Sequence, residues 1–404
     1  MFKKLLALYI LTFVNVMNFS VIIPILPFIL RQYGGNPFIY GILLSAYPFF
    51  QFFAAPILGS LSDFYGRRPI LLISQAGTLL SWVIFASAFF IPNVSIGLIS
   101  LPIIVLLIAR IADGITGGNN AVANAYTSDI VSESERTRVF GYLGGVSGIG
   151  MIVGPVIGGF MMTPGLGYFG PVILSVLISA IALILMYFFM PETLNKDKRL
   201  KRINLNVMNE LQFLPKLKKY AQDRVMKYIL FKRVIFLLVF SSFVSVFPLY
   251  LVDVLNLGSQ QIGFVFVGVG AILFLNQIYI AGPVVKKYGE VRALIIGLII
   301  LSVSQALLSF SSLFWEIAFL IYFNNLGITL VAPTFKTLLS KRVEQDKQGE
   351  IMGLDESLIS ATSAIAPLVS TWIYGFIGPM VFVIQAMVVI IALYLYFTRK
   401  GWQK

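Results

Sequence analysis

The amino-acid sequence predicts an all-α membrane protein, with twelve transmembrane helices in two six-helix bundles. Composition is the first reason: of 404 residues, 58% are hydrophobic and only 12% are charged, whereas soluble proteins carry about 25% charged residues. The second reason is that apolar runs of about 20 residues, long enough to cross about 30 Å of hydrocarbon, recur along the whole chain. These runs are continuous, and they therefore exclude a membrane β-barrel, whose strands of about 10 residues alternate between apolar and polar side chains.

Twelve apolar runs are candidate spans, numbered here in chain order. They cover residues 5–30, 38–61, 70–91, 98–128, 138–162, 167–190, 232–253, 260–282, 290–312, 314–340, 350–375 and 379–398. The first is too long for a signal peptide and has no small-residue cleavage site. A polar stretch divides the chain into an N-terminal six-helix bundle (1–190), a cytoplasmic linker loop (191–231) and a C-terminal six-helix bundle (232–404).

The positive charges lie on one side of the predicted membrane. Of 30 Lys and Arg residues, only Arg31 falls in an outer connection and only Arg110 lies deep inside a span; the others lie at the termini, in the even-numbered connections or at the span ends beside them. This positive-inside bias predicts a multi-pass protein of the cell (inner) membrane with both termini in the cytoplasm. The positions of the charges also argue against a nucleic-acid partner despite the net charge of +13. Anionic membrane lipids are a more suitable partner for the basic linker.

The chain contains no Cys and no His. Their absence excludes disulfides, thiol nucleophiles and His-ligated metal or haem sites. Any proton coupling must therefore use Asp or Glu. The sequence shows no pairing of a nucleophile with a base and no phosphate-binding Gly loop, so it predicts neither an enzyme nor a bound cofactor.

A charged turn occurs twice in the chain. Gly59–Pro69, with the sequence Gly-Ser-Leu-Ser-Asp-Phe-Tyr-Gly-Arg-Arg-Pro, connects spans 2 and 3, and a degenerate copy, Gly282–Arg292, connects spans 8 and 9. Residues 114–116 of span 4 likewise match residues 327–329 of span 10, both Gly-Ile-Thr. The copies lie in corresponding spans with the same in–out sense. The two halves are therefore parallel repeats, related by an axis along the membrane normal, as in secondary transporters.

With these motifs the chain resembles the major facilitator superfamily, drug:proton antiporter type. The charged turn is similar to the family's loop 2–3 motif, Gly-x-x-x-Asp-x-x-Gly-Arg-Arg. Arg110 with Gly114 is similar to the fourth-span motif Arg-x-x-x-Gly, and Gly150–Gly159 resembles the fifth-span motif of the antiporters. The run from Tyr40 to Pro56 is similar to the bacterial tetracycline/proton antiporter group. The resemblance implies the major facilitator fold and a secondary transporter of a small-molecule substrate.

Span 4 contains two ionisable residues within the predicted membrane, Arg110 and Asp113, three positions apart and so on one helix face. Gly117, Asn120 and Asn124 continue this face at steps of three to four. We interpret the stripe as the lining of a water-accessible cavity, in which Asp113 exchanges a proton and Arg110 responds to its charge. The family's use of the matching arginine in coupling supports this role. The alternative is a permanent ion pair that only orients span 4.

The chain departs from the tetracycline group at two positions. That group carries an Asp in span 1, nine residues before a Pro-x-x-Pro element, and a His in span 8. Here Pro24 and Pro27 are present, but the two positions are Asn15 and Leu273. Any coupling has therefore been moved or rebuilt, which argues against metal–tetracycline complexes as the substrate.

Span 11 has a second pair of carboxylates, Asp355 and Glu356, near its cytoplasmic end. Glu356 shares a helix face with Ser360 and Ser363, and one interpretation is a proton or cation site in the second half. The alternative is that both carboxylates complement the positive N-terminus of their own helix and meet cytoplasmic Lys or Arg residues.

The resemblance assigns a gating role to the charged turn. It implies that Arg67 pairs with Asp129 at the cytoplasmic end of span 4, and that Asp63 lies near the N-terminus of span 11. These contacts would clamp the two halves together on the cytoplasmic side. The predicted gate consists of Gly59, Asp63, Gly66, Arg67, Arg68 and Asp129.

Small residues in span 5 predict close helix packing, because they let backbones approach in lipid. A proline within the same span can kink it. The packing residues are Gly150, Gly154, Pro155 and Gly158.

Further polar residues within the spans are candidates for the substrate cavity. They are Asn15, Asn18, Tyr47, Gln51, Asn120, Asn124, Asn276, Gln277 and Asn325. Such side chains either hydrogen-bond a solute or satisfy one another between helices, at about 0.6 kcal/mol each. With 35 Phe and 18 Tyr residues in the chain, an aromatic cavity would suit an amphipathic solute.

The sequence therefore predicts a monomeric transporter that works by alternating access and exports a small amphipathic solute or drug in exchange for protons. Coupling is assigned to Arg110, Asp113 and Glu356. One alternative is a uniporter or importer of a nutrient on the same scaffold, which the missing Asp of span 1 favours. Another is a non-transporting receptor or lipid-handling protein, against which the retained gate argues, because a static protein does not need a breakable clamp.

Overall fold

The computed structural model describes residues 2–97, 99–131, 133–162, 165–195, 197, 199–200, 213–344 and 347–397. Within these ranges, eleven helical segments are long and apolar enough to cross a membrane. The last of them, Glu350–Tyr394, contains two helices, because the chain turns at Gly378, where φ is +56°. The prediction of an α-helical membrane protein with twelve spans is confirmed.

Spans 1 to 6 belong to the first half of the chain. Their helices are Phe2–Gln32 (span 1), Pro37–Tyr65 (span 2), Arg67–Ser87 (span 3), Leu101–Thr116 and Asn120–Ile130 (span 4), Glu133–Phe160 (span 5) and Phe169–Phe189 (span 6). A 3-10 turn, Ala88–Phe90, extends span 3. Span 2 begins where proline and capping predict it, because Asn36 Oδ1 accepts a hydrogen bond from the Ile39 N–H at 2.9 Å.

Spans 7 to 12 belong to the second half. Their helices are Arg224–Leu255 (span 7), Ser259–Asn276 and Gly282–Tyr288 (span 8), Glu290–Leu308 (span 9), Phe314–Ser340 (span 10), Gln348–Ile377 (span 11) and Val381–Phe397 (span 12). A π-helical turn, Gln277–Ala281, joins the two helices of span 8, and a 3-10 turn, Gly378–Met380, precedes span 12.

The linker contains a short helix, Phe213–Tyr220, which was not predicted. Span 7 begins at Arg224, eight residues before its predicted start, because Asp223 caps it: the Asp223 carboxylate accepts the Met226 N–H at 2.7 Å. Hydropathy alone placed this boundary too late, since the first turns of the helix are charged.

The connection between spans 3 and 4 contains a two-stranded antiparallel sheet, which the sequence analysis did not predict. Ser95–Ile96 pairs with Ile99–Ser100, with Ser95 opposite Ser100 and Ile96 opposite Ile99. Gly97 supports the turn with φ +65°.

The chain forms two compact units with separate hydrophobic cores. One unit comprises Met1–Leu211 and Gly258–Val267, and the other comprises Gln212–Leu257 and Gly268–Lys404. The core of the first unit is built from residues such as Leu8, Leu71, Tyr126, Leu143 and Met186. The core of the second unit is built from residues such as Phe236, Leu301, Phe335, Leu354 and Val389. Each core is where the spans of one unit meet, while large apolar side chains remain exposed on the outer faces, as expected for helices in lipid.

Candidate functional site

The ion pair of span 4 is the centre of the candidate site. Arg110 is 2% exposed and Asp113 is 6% exposed, and Arg110 Nη1 donates a hydrogen bond to Asp113 Oδ2 at 3.2 Å. The spacing of three positions on one helix produces this contact. An isolated charge would be very unfavourable in this position, whereas a hydrogen-bonded pair keeps the interior of the bundle neutral.

Span 2 lies around the guanidinium group of Arg110. The Leu43 carbonyl oxygen accepts from Arg110 Nε at 3.5 Å, and the guanidinium carbon lies 4.9 Å from the centre of the Tyr47 ring. Gln51 Nε2 donates to the Tyr47 hydroxyl at 3.0 Å. Gly114 permits this approach, because a Cβ there would lie 2.5 Å from the Tyr47 carbonyl oxygen. The predicted cavity residues Tyr47 and Gln51 thus join the network of the ion pair.

Span 4 is interrupted directly after the ion pair. Its first helix ends at Thr116 and the next begins at Asn120. The two glycines between them are poor helix formers, and the Gly117 carbonyl accepts instead from Gln51 Nε2 at 3.0 Å. Span 4 is therefore not one continuous helix as far as Asn124; Asn120 and Asn124 are exposed, while the ion pair is buried.

Asn119, within this interruption, is a polar residue that the sequence analysis missed. Its side-chain oxygen accepts from Asn15 Nδ2 at 3.1 Å, and its Nδ2 donates to Ser74 Oγ at 2.7 Å. The Ser74 hydroxyl then donates to the Thr116 carbonyl at 2.5 Å. This chain of hydrogen bonds connects spans 1, 3 and 4. The sequence signal for this break was the pair Gly117–Gly118, because glycine is a poor helix former. A break also means that residues after it cannot be placed on the helix face predicted before it.

Asn18 lies in a second polar contact within the first half. Its Nδ2 donates to Ser179 Oγ of span 6 at 2.8 Å, and Gln75 Nε2 of span 3 donates to the Ser179 carbonyl at 3.2 Å. Asn18 is buried. Its Nδ2 is thus used in a contact between helices, whereas its Oδ1 has no hydrogen-bond partner among the described residues.

The candidate cavity residues of the second half differ in exposure. Asn276 and Asn325 are buried, whereas Gln277 is exposed. Gln277 begins the π-helical turn of span 8, a type of turn that is frequent at functional sites. Among the described residues, Nδ2 of Asn276 and Nδ2 of Asn325 have no hydrogen-bond partner. Because a buried donor without an acceptor is unfavourable, these two amides are suited to bind a polar group of a solute.

Asp355 and Glu356 of span 11 have different surroundings. Asp355 is buried and accepts two hydrogen bonds from Arg233 of span 7, from Nε at 2.7 Å and from Nη2 at 2.9 Å. Glu356 is half-exposed, and Lys336 of span 10 lies 3.7 Å from it. Asp355 thus has a fixed partner, whereas Glu356 is more exposed and more loosely paired.

Arg67 is the centre of the charged turn. Its Nη1 lies 2.5 Å from Asp63 Oδ1 and 2.7 Å from the Ser62 hydroxyl oxygen. Its Nε lies 3.2 Å from Asp129 Oδ2. Arg67 is only 8% exposed, whereas the side chains of Asp63 and Asp129 are 42% and 25% exposed, so water reaches the carboxylate side of these ion pairs. The cluster holds the end of span 2 and the beginning of span 3 against the C-terminal end of span 4.

Glu192 belongs to the same cluster, although the sequence analysis did not predict it. Its carboxylate accepts the backbone N–H groups of Arg67 at 3.0 Å and Arg68 at 3.3 Å, and so caps span 3. Gly66 makes room for it: its φ is +110°, and a Cβ there would lie 2.3 Å from Glu192 Oε2. The Arg68 guanidinium donates to the Tyr187 carbonyl of span 6 at 2.7 Å.

The packing residues of span 5 lie against span 1. A Cβ on Gly150, Gly154 or Gly158 would approach a span 1 atom to 2.9, 2.0 or 2.8 Å, respectively. Pro155 lies between them in a helix that continues past it. Gly59 of the charged turn is different, because a Cβ there would make only an ordinary contact at 3.8 Å.

Comparison with known proteins gives a consistent result. A family model described as Major Facilitator Superfamily matches residues 8–280 and 260–402. The tetracycline resistance protein, class C, of Escherichia coli is 30% identical over 371 residues, which cover 89% of this chain and 87% of that protein. The class G protein of Vibrio anguillarum is 31% identical over 378 residues, which cover 89% and 88%.

A solved structure also has the same fold. The human organic anion transporter MFSD10 (TETRAN) matches with a TM-score of 0.72, covering 97% of this chain and 98% of that chain. Its sequence identity to this chain is 20%, so this likeness concerns the fold alone.

Proposed function

The chain belongs to the Major Facilitator Superfamily, and on that basis we propose that it exports a small amphipathic solute in exchange for protons, by alternating access. Family membership identifies a multi-pass membrane transporter rather than an enzyme. The coupling to protons, the direction of transport and the solute class are the parts that we propose. The observation that carries the proposal is the buried pair of Arg110 and Asp113.

The proposed coupling follows from charge. With Asp113 ionised, the pair is neutral and Arg110 is held by its partner at 3.2 Å. When Asp113 takes up a proton, Arg110 becomes an uncompensated charge in a buried site, which is strongly unfavourable. The guanidinium must then find another anionic or polar partner. Proton binding is thereby converted into a rearrangement of the contacts of Arg110 with the Leu43 carbonyl and the Tyr47 ring, and through Tyr47 of its hydrogen bond from Gln51.

The amphipathic solute is proposed from the relatives and from the residues that line the site. Two of the relatives are named as tetracycline resistance proteins. In this chain, however, Asn15 bonds to Asn119, and Asn15 and Leu273 stand where the resembled group has Asp and His. A metal-bound substrate is therefore disfavoured, whereas aromatic and amide groups such as Tyr47, Gln51 and Asn325 suit an organic solute.

Gating is proposed for the cluster of Asp63, Arg67 and Asp129. Its partly exposed ion pairs can break and re-form during the cycle, since such pairs are worth little once water has access to them. Glu356, half-exposed beside Lys336, is proposed as a second proton-accessible carboxylate.

We further propose a monomer in the cell (inner) membrane, with both termini in the cytoplasm and the basic linker beside anionic lipids.

One other function, that of a uniporter or importer, has specific support. A nutrient uniporter or importer is favoured by the absence of the span 1 Asp, since a uniporter needs no coupling carboxylate there. A permanent Arg110–Asp113 pair would fit that function. A receptor or lipid-handling protein would not need the Arg67 cluster to open, and this distinguishes it from both transporters.

The test is solute-driven proton movement in proteoliposomes that contain a pH-sensitive dye, screened against cationic drugs, sugars, amino acids and lipids. The variants are Asp113→Asn and the neutral pair Arg110→Gln with Asp113→Asn. The control is Glu344→Gln, an exposed carboxylate in the cytoplasmic connection between spans 10 and 11. We expect proton flux with one amphipathic class in the wild type and the control, and none in either variant.

The double variant, Arg110→Gln with Asp113→Asn, distinguishes a role of the ion pair in coupling from a role in stability. It leaves no buried charge, so it is expected to fold even where Asp113→Asn alone is unstable. Proton-driven transport by the folded neutral pair would contradict the proposal and would show that the ion pair is only structural. Solute flux without proton flux in the wild type would instead support a uniporter.

A further inference from the structure

We propose that Asn119 is a positioning residue that links protonation of Asp113 to opening of the gate at Asp129. It lies in the break of span 4 (residues 117–119) and holds the second helix of this span in place. This role rests on the proposed function, because it begins with a proton on Asp113 and ends with the opening of the Arg67 cluster.

Span 4 carries the ion pair and the gate residue on two separate helices. Asp113 lies in the first helix, Leu101–Thr116, and Asp129 lies in the second, Asn120–Ile130. In one continuous helix, backbone hydrogen bonds would fix both residues in a single rigid rod. The break allows the second helix to turn while the first stays in place, as residues at the ends of helices do in hinge motions.

Side chains of neighbouring spans hold the backbone of the break. In a continuous helix, the carbonyls of Thr116 and Gly117 would accept from the N–H groups of residues 120 and 121. Here Ser74 Oγ of span 3 donates to the Thr116 carbonyl at 2.5 Å, and Gln51 Nε2 of span 2 donates to the Gly117 carbonyl at 3.0 Å. Such contacts can exchange partners without unwinding either helix.

Asn119 connects these contacts to the start of the second helix. Its Oδ1 accepts from Asn15 Nδ2 of span 1 at 3.1 Å, and its Nδ2 donates to Ser74 Oγ at 2.7 Å. Its carbonyl accepts the Ala123 N–H of the second helix at 2.8 Å. Because Asn119 is bonded on both sides and only 1% exposed, its position determines where this helix begins and in which direction it runs.

The ion pair reaches the break through span 2. The Arg110 guanidinium carbon lies 4.9 Å from the centre of the Tyr47 ring. Gln51 Nε2 donates both to the Tyr47 hydroxyl and to the Gly117 carbonyl, each at 3.0 Å. The Gly117 N–H donates to the Asp113 carbonyl at 2.6 Å. A displacement of the guanidinium therefore changes the surroundings of Tyr47, and with them the hydrogen bonds of Gln51 to the break.

The other end of the second helix reaches the gate. Asp129 Oδ2 accepts from Arg67 Nε at 3.2 Å and from Thr193 Oγ1 at 3.1 Å. Asp129 lies ten residues after Asn119, about 15 Å along the helix. A rotation of about 10° at the break would move this end by about 3 Å, which is enough to break hydrogen bonds of this length.

The charge on Asp113 determines the direction of the response. With Asp113 ionised, Arg110 is held by its partner, and the contacts of the break and the gate are formed. With Asp113 protonated, Arg110 is an uncompensated buried charge and leaves its place, so the break loosens and the gate opens. The other groups that interact with Asp113 are Tyr47 of span 2 and the hydroxyls of Thr78 and Ser81 of span 3, which are neutral at acid and neutral pH.

A single introduced thiol can report on the gate, because the chain contains no Cys. Ser62 is 0% exposed, and its hydroxyl oxygen lies 2.7 Å from Arg67 Nη1. The Ser62→Cys thiol is therefore reached by a water-soluble maleimide only when the Arg67 cluster opens. Ser312→Cys, in the exposed connection between spans 9 and 10, is the reference thiol, since it corrects for the effect of pH on thiolate formation.

The measured quantity is the labelling rate of the Ser62→Cys protein divided by that of the Ser312→Cys protein. Both full-length proteins are purified and labelled at about pH 7.5 and about pH 5.5. We expect this ratio to rise as pH falls, by up to about tenfold per pH unit, the limit for one linked proton.

Asp113→Asn identifies the group that takes up the proton. In the two thiol backgrounds, this variant is expected to give a high ratio at both pH values, because it mimics the protonated state. The gate has carboxylates of its own, on Asp63, Asp129 and Glu192, which also take up protons in acid. A ratio that still rises with acid in Asp113→Asn would place the response at these groups and overturn the inference.

Asn119→Ala tests the connection itself. It removes both side-chain hydrogen bonds of the break and is expected to abolish the pH dependence of the ratio. Asn93→Ala is the matched control, since Asn93 is exposed in the connection between spans 3 and 4, and it should respond to pH like the wild type. If Asn119→Ala lowers thermal stability but keeps the full pH dependence, Asn119 is only structural and the inference is wrong.

Two further variants cover the case in which Asn119→Ala does not fold. Ser74→Ala and Asn15→Ala each remove one partner of Asn119, and each is expected to reduce the pH dependence several-fold. The wild-type response in both variants would contradict the proposed link.

Transport in proteoliposomes separates this inference from the proposed function. A gate response that does not depend on Asn119, together with proton flux that depends on Asp113, would defeat this inference alone. A gate response that requires both Asp113 and Asn119, together with normal proton-driven transport by the neutral pair, would defeat the proposed function alone.

Discussion

Arg67 and Glu290 occupy equivalent positions in the two halves of the chain and carry opposite charges. Each follows a glycine in the left-handed region, Gly66 with φ +110° and Gly289 with φ +80°, and each begins a transmembrane helix. Glu290 forms an ion pair with Lys341, directly after the end of span 10. The turn is thus present in both repeats. In the first repeat the residue after the glycine is the basic partner of the ion pairs, and in the second repeat it is the acidic partner.

The two turns differ in burial, and we expect their ion pairs to differ in strength. The Arg67 side chain is 10% exposed and contacts both Asp63 and Asp129, whereas the Lys341 side chain is 63% exposed. Arg67→Ala leaves two carboxylates unpaired and is expected to destabilise the protein by about 2–3 kcal/mol. Lys341→Ala removes an exposed pair and should change stability by less than about 1 kcal/mol. Thermal unfolding in detergent measures both, and equal losses would contradict the assignment.

The cap formed by Glu192 is expected to be essential to the charged turn. Glu192→Ala removes the acceptor for two backbone N–H groups of span 3 and should destabilise the protein by about 1–2 kcal/mol. Glu192→Gln keeps one acceptor oxygen and is expected to lose less. The control is Glu344→Ala, since the Glu344 carboxylate bonds to Lys347 at the exposed surface. If Glu192→Ala melts at the same temperature as the control, the cap is not a stabilising contact.

Two glycines of span 5 provide a matched pair for testing helix packing. A Cβ on Gly154 would lie 2.0 Å from the Ser20 hydroxyl oxygen and 2.6 Å from the Met17 carbonyl, whereas nothing lies within 4 Å of a Cβ on Gly148. Gly154→Ala must push spans 1 and 5 apart and is expected to cost about 1–3 kcal/mol. Gly148→Ala should be neutral or slightly stabilising, because alanine is the better helix former. Destabilisation by both substitutions to the same extent would refute a role for close contact.

Hydropathy and charge were sufficient to predict the spans and their number, because each span requires about 20 apolar residues in a row. Hydropathy and charge could not predict the interruption at residues 117–119. Two glycines open it, and glycine is also common inside continuous membrane helices. The break separates Asn120 and Asn124 from the helix that carries the ion pair, and it places Asn119 in the network. A helical wheel is reliable only while the helix is continuous.

Contacts between distant parts of the chain were harder to predict. Arg67 was placed beside Asp129 from the family resemblance, not from the residues themselves. Arg233 and Asp355 are 122 positions apart, and no local pattern indicates that they meet. The same is true of Glu192, whose role as a helix cap depends on where the linker returns after span 6. Such pairs are set by packing of the whole unit, which a single sequence does not reveal.

The buried pair of Arg233 and Asp355 is expected to be a structural contact rather than a coupling site. It is bidentate, and both side chains are at most 3% exposed. Asp355→Asn removes the charge that balances Arg233 and is expected to destabilise the second half by about 3–5 kcal/mol. The Glu356→Gln substitution, one residue away, affects a half-exposed group and should leave stability within about 1 kcal/mol of the wild type.

A double substitution distinguishes a structural pair from a coupling pair. Arg233→Met with Asp355→Leu replaces both charges by apolar side chains of similar volume, which in buried ion pairs is often neutral or stabilising. The Phe236 and Phe335 rings beside the guanidinium would pack against the new methionine. We therefore expect recovery of thermal stability relative to Asp355→Asn, with proton-coupled transport retained in proteoliposomes. A stable double variant that no longer moves protons would place coupling at this pair as well, because only loss of the charges, and not of the fold, would then explain the defect.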